Sequence, residues 1–214
     1  MLVVTVALLQ DLHTLPDDAL LALPWSAATR ARLSGISHVP RQRQLMLGRL
    51  LLLDTARKLV GPTLSLADLI EREEASPCFA GWPTLAMSIS HTANWLGVAV
   101  AHAPGLQLGL DLEQARPRKI LALARHVCDE ADLAWISAAE EGERSDRFYR
   151  LWTLREAAYK GGLRAHVYGA PPMHGYVTAP QADHHSGVLP EHLYWAVSCN
   201  QPVDIRFARP ELAL

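Results

Sequence analysis

Pro104-Gly105-Leu106-Gln107-Leu108-Gly109-Leu110-Asp111-Leu112-Glu113 lies near the midpoint of the chain, and its reading decides the fold. Pro-Gly is a turn signal. The residues after it alternate apolar and polar, the pattern of a half-buried strand. Residues two apart on a strand share a face, so Asp111 and Glu113 project together while Leu110 and Leu112 turn into a core. The chain therefore divides almost equally at this punctuation, into 1–103 and 104–214.

Upstream, the apolar run Met1 to Gln10 has no basic residue before it and reads as a buried strand, not a leader. Asp17 to Leu23 and Trp25 to Leu33 are short helical stretches, with Pro16 a starter of the first. Pro40 opens a long helix through Leu59, with Leu45, Gly48, Leu52 and Ala56 at helical spacing and Gly61-Pro62 as its stop. Leu85 to His91 and Trp95 to Ala101 form a hairpin bent at Thr92 to Asn94. Downstream, Arg118 to His126 and Asp129 to Ala139 are helices, with Asp129 an N-cap. Glu140 to Asp146 reads as a charged connection, Arg147 to Gly161 as a long amphipathic helix, and Ala170 to Pro190 as a loop rich in Pro, Gly and His. Leu193 to Cys199 and Val203 to Ala208 are closing strands. Helices and strand pairs in both halves give an α+β class.

Composition narrows the function. The chain has 214 residues, half of them hydrophobic, and a net charge of −2. It buries a real core, and its balance of charge argues against bulk nucleic-acid binding. No apolar run reaches the length of a membrane span. Cys78, Cys128 and Cys199 are too few and too scattered for a disulfide framework or a structural zinc site, and the expected compartment is the cytosol.

Four places carry chemistry. Asp111 and Glu113 repel one another unless a cation lies between them, and a hard divalent ion with oxygen ligands is one solution; a solvated face balanced by Arg116 is the other. Glu156 and Lys160 are four apart on one helical face. On an exposed helix they are an ordinary pair. Among Phe148, Tyr149, Trp152 and Tyr159 they lie where buried charges need partners. Ser90 and His91 close a strand at a turn, placed for a phosphate or for no ligand at all; a nucleophilic pair fits poorly, since neighbours on a strand face apart and no nucleophile elbow is present. Arg30, Arg32, Arg41, Arg43 and Arg49 are either a phosphate-binding set or a solvated helix face. His184-His185 with His192 matches no metal-site spacing.

Read in order, these segments resemble the 4′-phosphopantetheinyl transferases of the surfactin-synthetase-activating type. That family carries a Ser-Ile-Ser-His strand end, then Gly-Ile-Asp-Ile-Glu, then Trp-Ser-x-Lys-Glu-x-x-x-Lys. Here the three read Ser88-Ile-Ser90-His91, Gly109-Leu-Asp111-Leu-Glu113 and Trp152-Thr-Leu-Arg155-Glu156-Ala-Ala-Tyr-Lys160. The resemblance spans roughly residues 41 to 163. It implies two similar α+β halves about a pseudo-twofold axis, with coenzyme A in the cleft between them, an N-terminal half supplying phosphate contacts and a C-terminal half carrying an acidic strand and catalytic helix. It implies transfer of the phosphopantetheine arm of coenzyme A to a serine of an apo acyl or peptidyl carrier protein, releasing adenosine 3′,5′-bisphosphate. Asp111, Glu113 and Glu156 are the implied Mg²⁺ ligands. Asp111, Glu156 and Lys160 are the implied catalytic groups, and Arg43, Arg41, Ser90, His91, Arg155 and Lys160 the implied coenzyme contacts. A monomer acting in fatty-acid, polyketide or nonribosomal-peptide synthesis is expected, without nucleic-acid or membrane partners.

Three positions depart from the family pattern. Ser76-Pro77 stands where the family often has Lys-Pro. Arg155 replaces the first Lys of the Lys-Glu pair. His166 to His174 does not align. The first two departures motivate an alternative, a carrier-binding module of the same fold that has lost turnover. A Mg²⁺-dependent nucleotide hydrolase is a third reading, distinguished by needing no acceptor protein.

Overall fold

The computed structural model describes residues 1–12, 16–72, 76–163, 173–178 and 183–211. The chain forms two compact units, Met1–Leu106 with Val203–Leu214, and Gln107–Pro202. The division falls within three residues of Pro104, but the last strand lies with the first unit, not with the half that the sequence reading assigned to 104–214. The reason is β-pairing.

In the first unit, β1 (Leu2–Leu8) is flanked on one side by β5 (Trp95–His102), antiparallel with Leu2 opposite Ala101. On its other side lies β9 (Ile205–Ala208), parallel with Leu2 opposite Ile205. β4 (Leu85–Thr92) completes the sheet in the order β4-β5-β1-β9. The β4–β5 turn places Ala93 at φ 46°. A small hairpin, β2 (Leu69–Ile70) with β3 (Cys78–Phe79), occupies part of the Pro- and Gly-rich patch that carries no strand pattern. α1 (Asp17–Leu21) and α2 (Ala27–Ser34) follow β1, and the Ser26 side chain caps α2 by accepting from the Thr29 N–H. α3 (Val39–Val60) packs on the sheet. Its apolar residues run around the helix, so Leu50 to Leu53 are all buried. The Thr55 hydroxyl, itself buried, donates to Thr5 of β1 at 2.9 Å. A cavity of about 430 Å³ lies beside α3 within this unit, lined by Leu23, Leu50, Leu53 and Leu66.

In the second unit, β6 (Leu108–Gln114), β8 (Leu193–Cys199) and β7 (His184–Leu189) form an antiparallel sheet in the order β6-β8-β7. α4 (Ile120–Val127) and α5 (Glu130–Ser137) follow β6, with the Asp129 carboxylate capping α5 through the Asp132 N–H. α6 (Glu141–Lys160) lies on β6 and β8. It begins six residues before the expected start. The charges that read as a connection are a helix start: Glu141 and Glu143 occupy the first turn, and Glu143–Arg147 and Asp146–Arg150 pair one turn apart. The expected loop from Ala170 to Pro190 is corrected too. It contains α7 (His174–Thr178) and β7, whose hydrogen-bonding partner β8 lies later in sequence. His184 and His185 sit on β7. The non-aligning stretch falls outside the described residues over 166–172.

The structure is a mixed α+β fold. Cys78, Cys128 and Cys199 are free, and burial pushes the last two thiols up to about 11 and about 12. No helix among the described residues is long and apolar enough to cross a membrane.

Candidate functional site

The acidic strand and the long helix of the second unit meet through a glycine. A Cβ at Gly109 would stand 1.8 Å from the Ala157 carbonyl oxygen and 2.5 Å from the Gly161 nitrogen. Only a residue without a side chain lets β6 lie this close to α6. Gly109, Asp111 and Glu113 share the face that meets the helix. Leu108, Leu110 and Leu112 fill the opposite face and are buried.

Along that contact the side chains pair in order. Lys160 donates from Nζ to Asp111 Oδ1 at 2.5 Å, and the Asp111 side chain is only 5% exposed. Trp152, two turns earlier on α6, donates its indole N–H to Glu113 Oε1 at 3.2 Å. Glu156 is half-buried between them in sequence. Burial and then the Asp111 charge raise the Glu113 carboxyl above its ordinary range, against the opposing pull of the Trp152 hydrogen bond, Arg118 and Lys160. The same two causes raise Glu156, with Lys160 opposing. Glu113 and Glu156 thus each feel the Asp111 charge and the Lys160 ammonium.

That donor set suits a hard cation chemically: it is all oxygen and in electrostatic deficit of positive charge. As placed, however, no three His, Cys, Asp or Glu side chains among the described residues are arranged to hold a metal ion. The ammonium of Lys160 lies against Asp111.

In the first unit, Ser90 and His91 end β4 on opposite faces, Ser90 buried and His91 exposed. Arg41, near the start of α3, places Nη1 2.6 Å from His91 Nε2. A guanidinium only donates, so the imidazole accepts at Nε2 and holds its proton on Nδ1. Arg43 forms an ion pair with Asp17 of α1. Arg49 is buried and grips Glu71 with two hydrogen bonds, 2.8 Å from Nε and 2.7 Å from Nη2, while Arg32 and Thr29 reach the same carboxylate. Burial would raise Glu71, but these partners, Arg49 foremost, hold it below its usual range. Arg41 is pushed down by burial and by the charges of Arg32 and Arg49. Arg32, Arg41 and Arg49 thus repel one another beside a carboxylate, Glu71, that Arg32 and Arg49 share, a setting that a further anion relieves.

Arg155 points into the interior of the second unit. Its side chain is 8% exposed and donates to Asp129 at 2.7 Å and to Asp132 at 2.8 Å. It also donates to the Val127 carbonyl at 2.5 Å. Asp132 is fully buried and also accepts from the Met173 and His174 backbone N–H groups. Arg155 therefore joins α6 to the α4–α5 junction and the start of α7 through an interior ion pair.

Sequence reasoning missed three participants. Glu71 has no spacing signal, because its arginines come from α2 and α3. The Trp152–Glu113 hydrogen bond joins residues 39 apart. The role of Gly109 as a contact surface shows only when the helix is laid on the strand.

Comparison with known proteins adds the following. Residues 107–163 match the family model described as the 4′-phosphopantetheinyl transferase superfamily. A 4′-phosphopantetheinyl transferase of Bacillus subtilis is 24% identical over 135 residues, 63% of this chain and 58% of that protein. A putative 4′-phosphopantetheinyl transferase of Haemophilus influenzae is 26% identical over 152 residues, 70% of this chain and 62% of that protein. The 4′-phosphopantetheinyl transferase AcpT of Escherichia coli K12 is 30% identical over 122 residues, 56% of this chain and 58% of that protein. The chain thus spans less than two thirds of the length of each of these relatives.

Proposed function

We propose that this chain, which belongs to the 4′-phosphopantetheinyl transferase superfamily through residues 107–163, moves the phosphopantetheine arm of coenzyme A to a serine of an apo carrier protein. The observation that carries the reading is that the matched stretch, 107–163, runs from β6 to the end of α6. The matched stretch is the β6–α6 pair that brings Asp111 to Lys160 and raises Glu113 and Glu156. The three motifs in order, ending with this pair, favour the surfactin-synthetase-activating type within the superfamily.

The chemistry asks for positioning and charge neutralisation. The serine oxygen forms a bond to the phosphorus that bears the pantetheine, and the bond from that phosphorus to the bridging oxygen breaks. Adenosine 3′,5′-bisphosphate leaves with the electron pair. Asp111, Glu113 and Glu156 would hold a Mg²⁺ ion, which supplies positive charge to the pyrophosphate oxygens. Glu156 accepts the serine proton, and its raised affinity for protons suits a general base. Lys160 neutralises charge on the departing phosphate. Trp152 fixes the orientation of Glu113 through its N–H. In the first unit, Arg41 and His91 are the pair for the 3′-phosphate, with Ser90 and Arg43 beside them in sequence. The buried structural pairing of Arg155 leaves that departure with no weight for a binding module that has lost turnover.

The test is intact-mass measurement of a panel of apo carrier proteins incubated with the chain, coenzyme A and Mg²⁺. One carrier gains a phosphopantetheine, the gain disappears with EDTA, and Asp111→Ala and Glu156→Ala fold but do not transfer. Normal turnover in either variant refutes the assigned roles. Release of a nucleotide without any acceptor replaces the transferase with a hydrolase.

A further inference from the structure

Leu50, Leu53, Asp54, Arg57 and Lys58 recur at helical spacing on α3, and this face forms one wall of the cavity of about 430 Å³ in the first unit. The wall changes character along its length. Leu50 and Leu53 are buried, and Leu23 and Leu66 add further apolar lining. The last two turns of the helix bring charge instead. Leu50 and Lys58 stand about 12 Å apart along its axis.

Three other segments line the cavity, and hydrogen bonds tie each one down. The Ser26 N–H donates to the Leu66 carbonyl at 3.2 Å, joining the stretch after α1 to the stretch after α3. Arg57 donates from Nε and Nη2 to the Leu64 carbonyl at 3.0 and 2.7 Å. Lys58 donates to the Arg209 carbonyl, and the Glu211 N–H donates to Asp54 Oδ2 at 3.2 Å, so the C-terminal segment is held to α3. A cavity framed in this way is formed before any ligand arrives.

The four charges along it are not equivalent. Asp54 pairs with Lys58 at 3.0 Å, and these two offset one another. Glu211 is exposed. Arg57 is half-buried, and no carboxylate among the described residues pairs with it. Its two hydrogen bonds go to a neutral carbonyl and use two of its five donors. The guanidinium keeps its charge and its remaining donors for an anion, and its planar fork suits a carboxylate.

We infer that this cavity binds an aliphatic carboxylate of medium chain length, its hydrocarbon against Leu23, Leu50, Leu53 and Leu66 and its head group on Arg57. Asp111, Glu113 and Glu156 belong to the other unit, and the inference does not rest on the transferase reading.

The probe is sodium decanoate, titrated into the parent chain by isothermal calorimetry below its micelle concentration, with decanol and decyltrimethylammonium as head-group controls. Decanoate saturates at one per chain and binds roughly tenfold tighter than decanol, while the ammonium binds no better than decanol. Hexanoate binds at least about tenfold more weakly than decanoate, because it buries less chain. Arg57→Gln, shown by circular dichroism to be folded, removes the advantage of decanoate and leaves the affinity for decanol unchanged. Leu23→Trp fills the cavity and abolishes binding of both; Leu23 is only half-buried, so this variant carries the test if Arg57→Gln does not fold. Absence of saturable binding, or binding unaltered by Leu23→Trp, overturns the cavity as the site. Equal affinity for decanoate and decanol overturns Arg57 as the head-group contact, and tighter binding of the ammonium gives that role to Glu211 and Asp54 instead. Saturating coenzyme A leaves decanoate binding unchanged; competition assigns the cavity to the coenzyme and overturns the inference.

Discussion

Replacing Gly109 by alanine is the most direct test of how the site is assembled. The added Cβ would lie 1.8 Å from the Ala157 carbonyl oxygen, and the atoms it meets are all backbone. Carbon and carbonyl oxygen approach no closer than about 3.3 Å, so β6 and α6 must part by about 1.5 Å. The same shift stretches the 2.5 Å contact between Lys160 and Asp111 beyond hydrogen-bonding distance. Overpacking of this severity destabilises by about 3 kcal/mol, or a fall of roughly 10 °C in thermal midpoint for a chain of this size. Glycine to alanine ordinarily acts in the opposite direction, because alanine has less freedom to lose on folding. Gly142→Ala, in the first turn of α6 with nothing within 4 Å of its Cβ, is the control and gains about 0.5–1 kcal/mol. The assay is circular-dichroism melting of both variants, followed by carrier transfer at a temperature where Gly109→Ala remains folded. A midpoint within about 2 °C of the parent, or transfer undiminished, refutes the contact as the determinant of the site.

Three further outcomes follow from the charges. Glu71→Gln leaves buried Arg49 without its counter-ion and lowers stability by about 3 kcal/mol at neutral pH. Because the native Glu71 carboxyl is held below its ordinary range, its stabilisation is present above that range and lost as pH falls from it through the lowered native value, so urea midpoints of variant and parent converge in stronger acid. Glu156 has the opposite sign. Its raised carboxyl disfavours the ionised form, so the penalty grows as pH rises past the ordinary carboxylate range; in EDTA, Glu156→Gln melts higher than the parent near neutral pH and gains nothing near pH 4. Arg155→Lys loses the forked contact to Asp129 and Asp132 and is destabilised by roughly 2 kcal/mol in urea titration, with KM for coenzyme A unchanged; a raised KM returns Arg155 to the coenzyme.

What the sequence made legible follows its local signals. The alternation in Leu106 to Glu113 and Leu193 to Cys199 located both strands, and the pairing of Asp111 with Glu113 on one face needs only the period of a strand. The long helix of the first unit is bounded by Pro40 and Gly61, both local breakers. Long-range partners were not legible. β7 is rich in His and Gly and becomes a strand because β8 pairs with it, Gly187 lying opposite Trp195 so closely that a Cβ there would meet the indole at 2.7 Å. The start of α6 looks like solvent-exposed chain because its helical support is ionic, not apolar. Arg155 carries the motif position of a coenzyme contact, yet its partners at Asp129 and Asp132 lie a strand-independent 26 and 23 residues away. Charge at a motif position did not reveal direction.

The parallel pairing of β9 with β1 also has a consequence for biosynthesis. β1 emerges from the ribosome before residues 107–202, and the strand that covers its open side emerges only after them. Throughout that interval the nascent sheet presents an unpaired row of N–H and C=O groups along Leu2 to Thr5, an edge open to other strands. The second unit, being one continuous stretch, can fold while the first waits. Its folding draws the two ends of a 96-residue excursion into a compact span and lowers the entropy lost when β9 finally closes on β1.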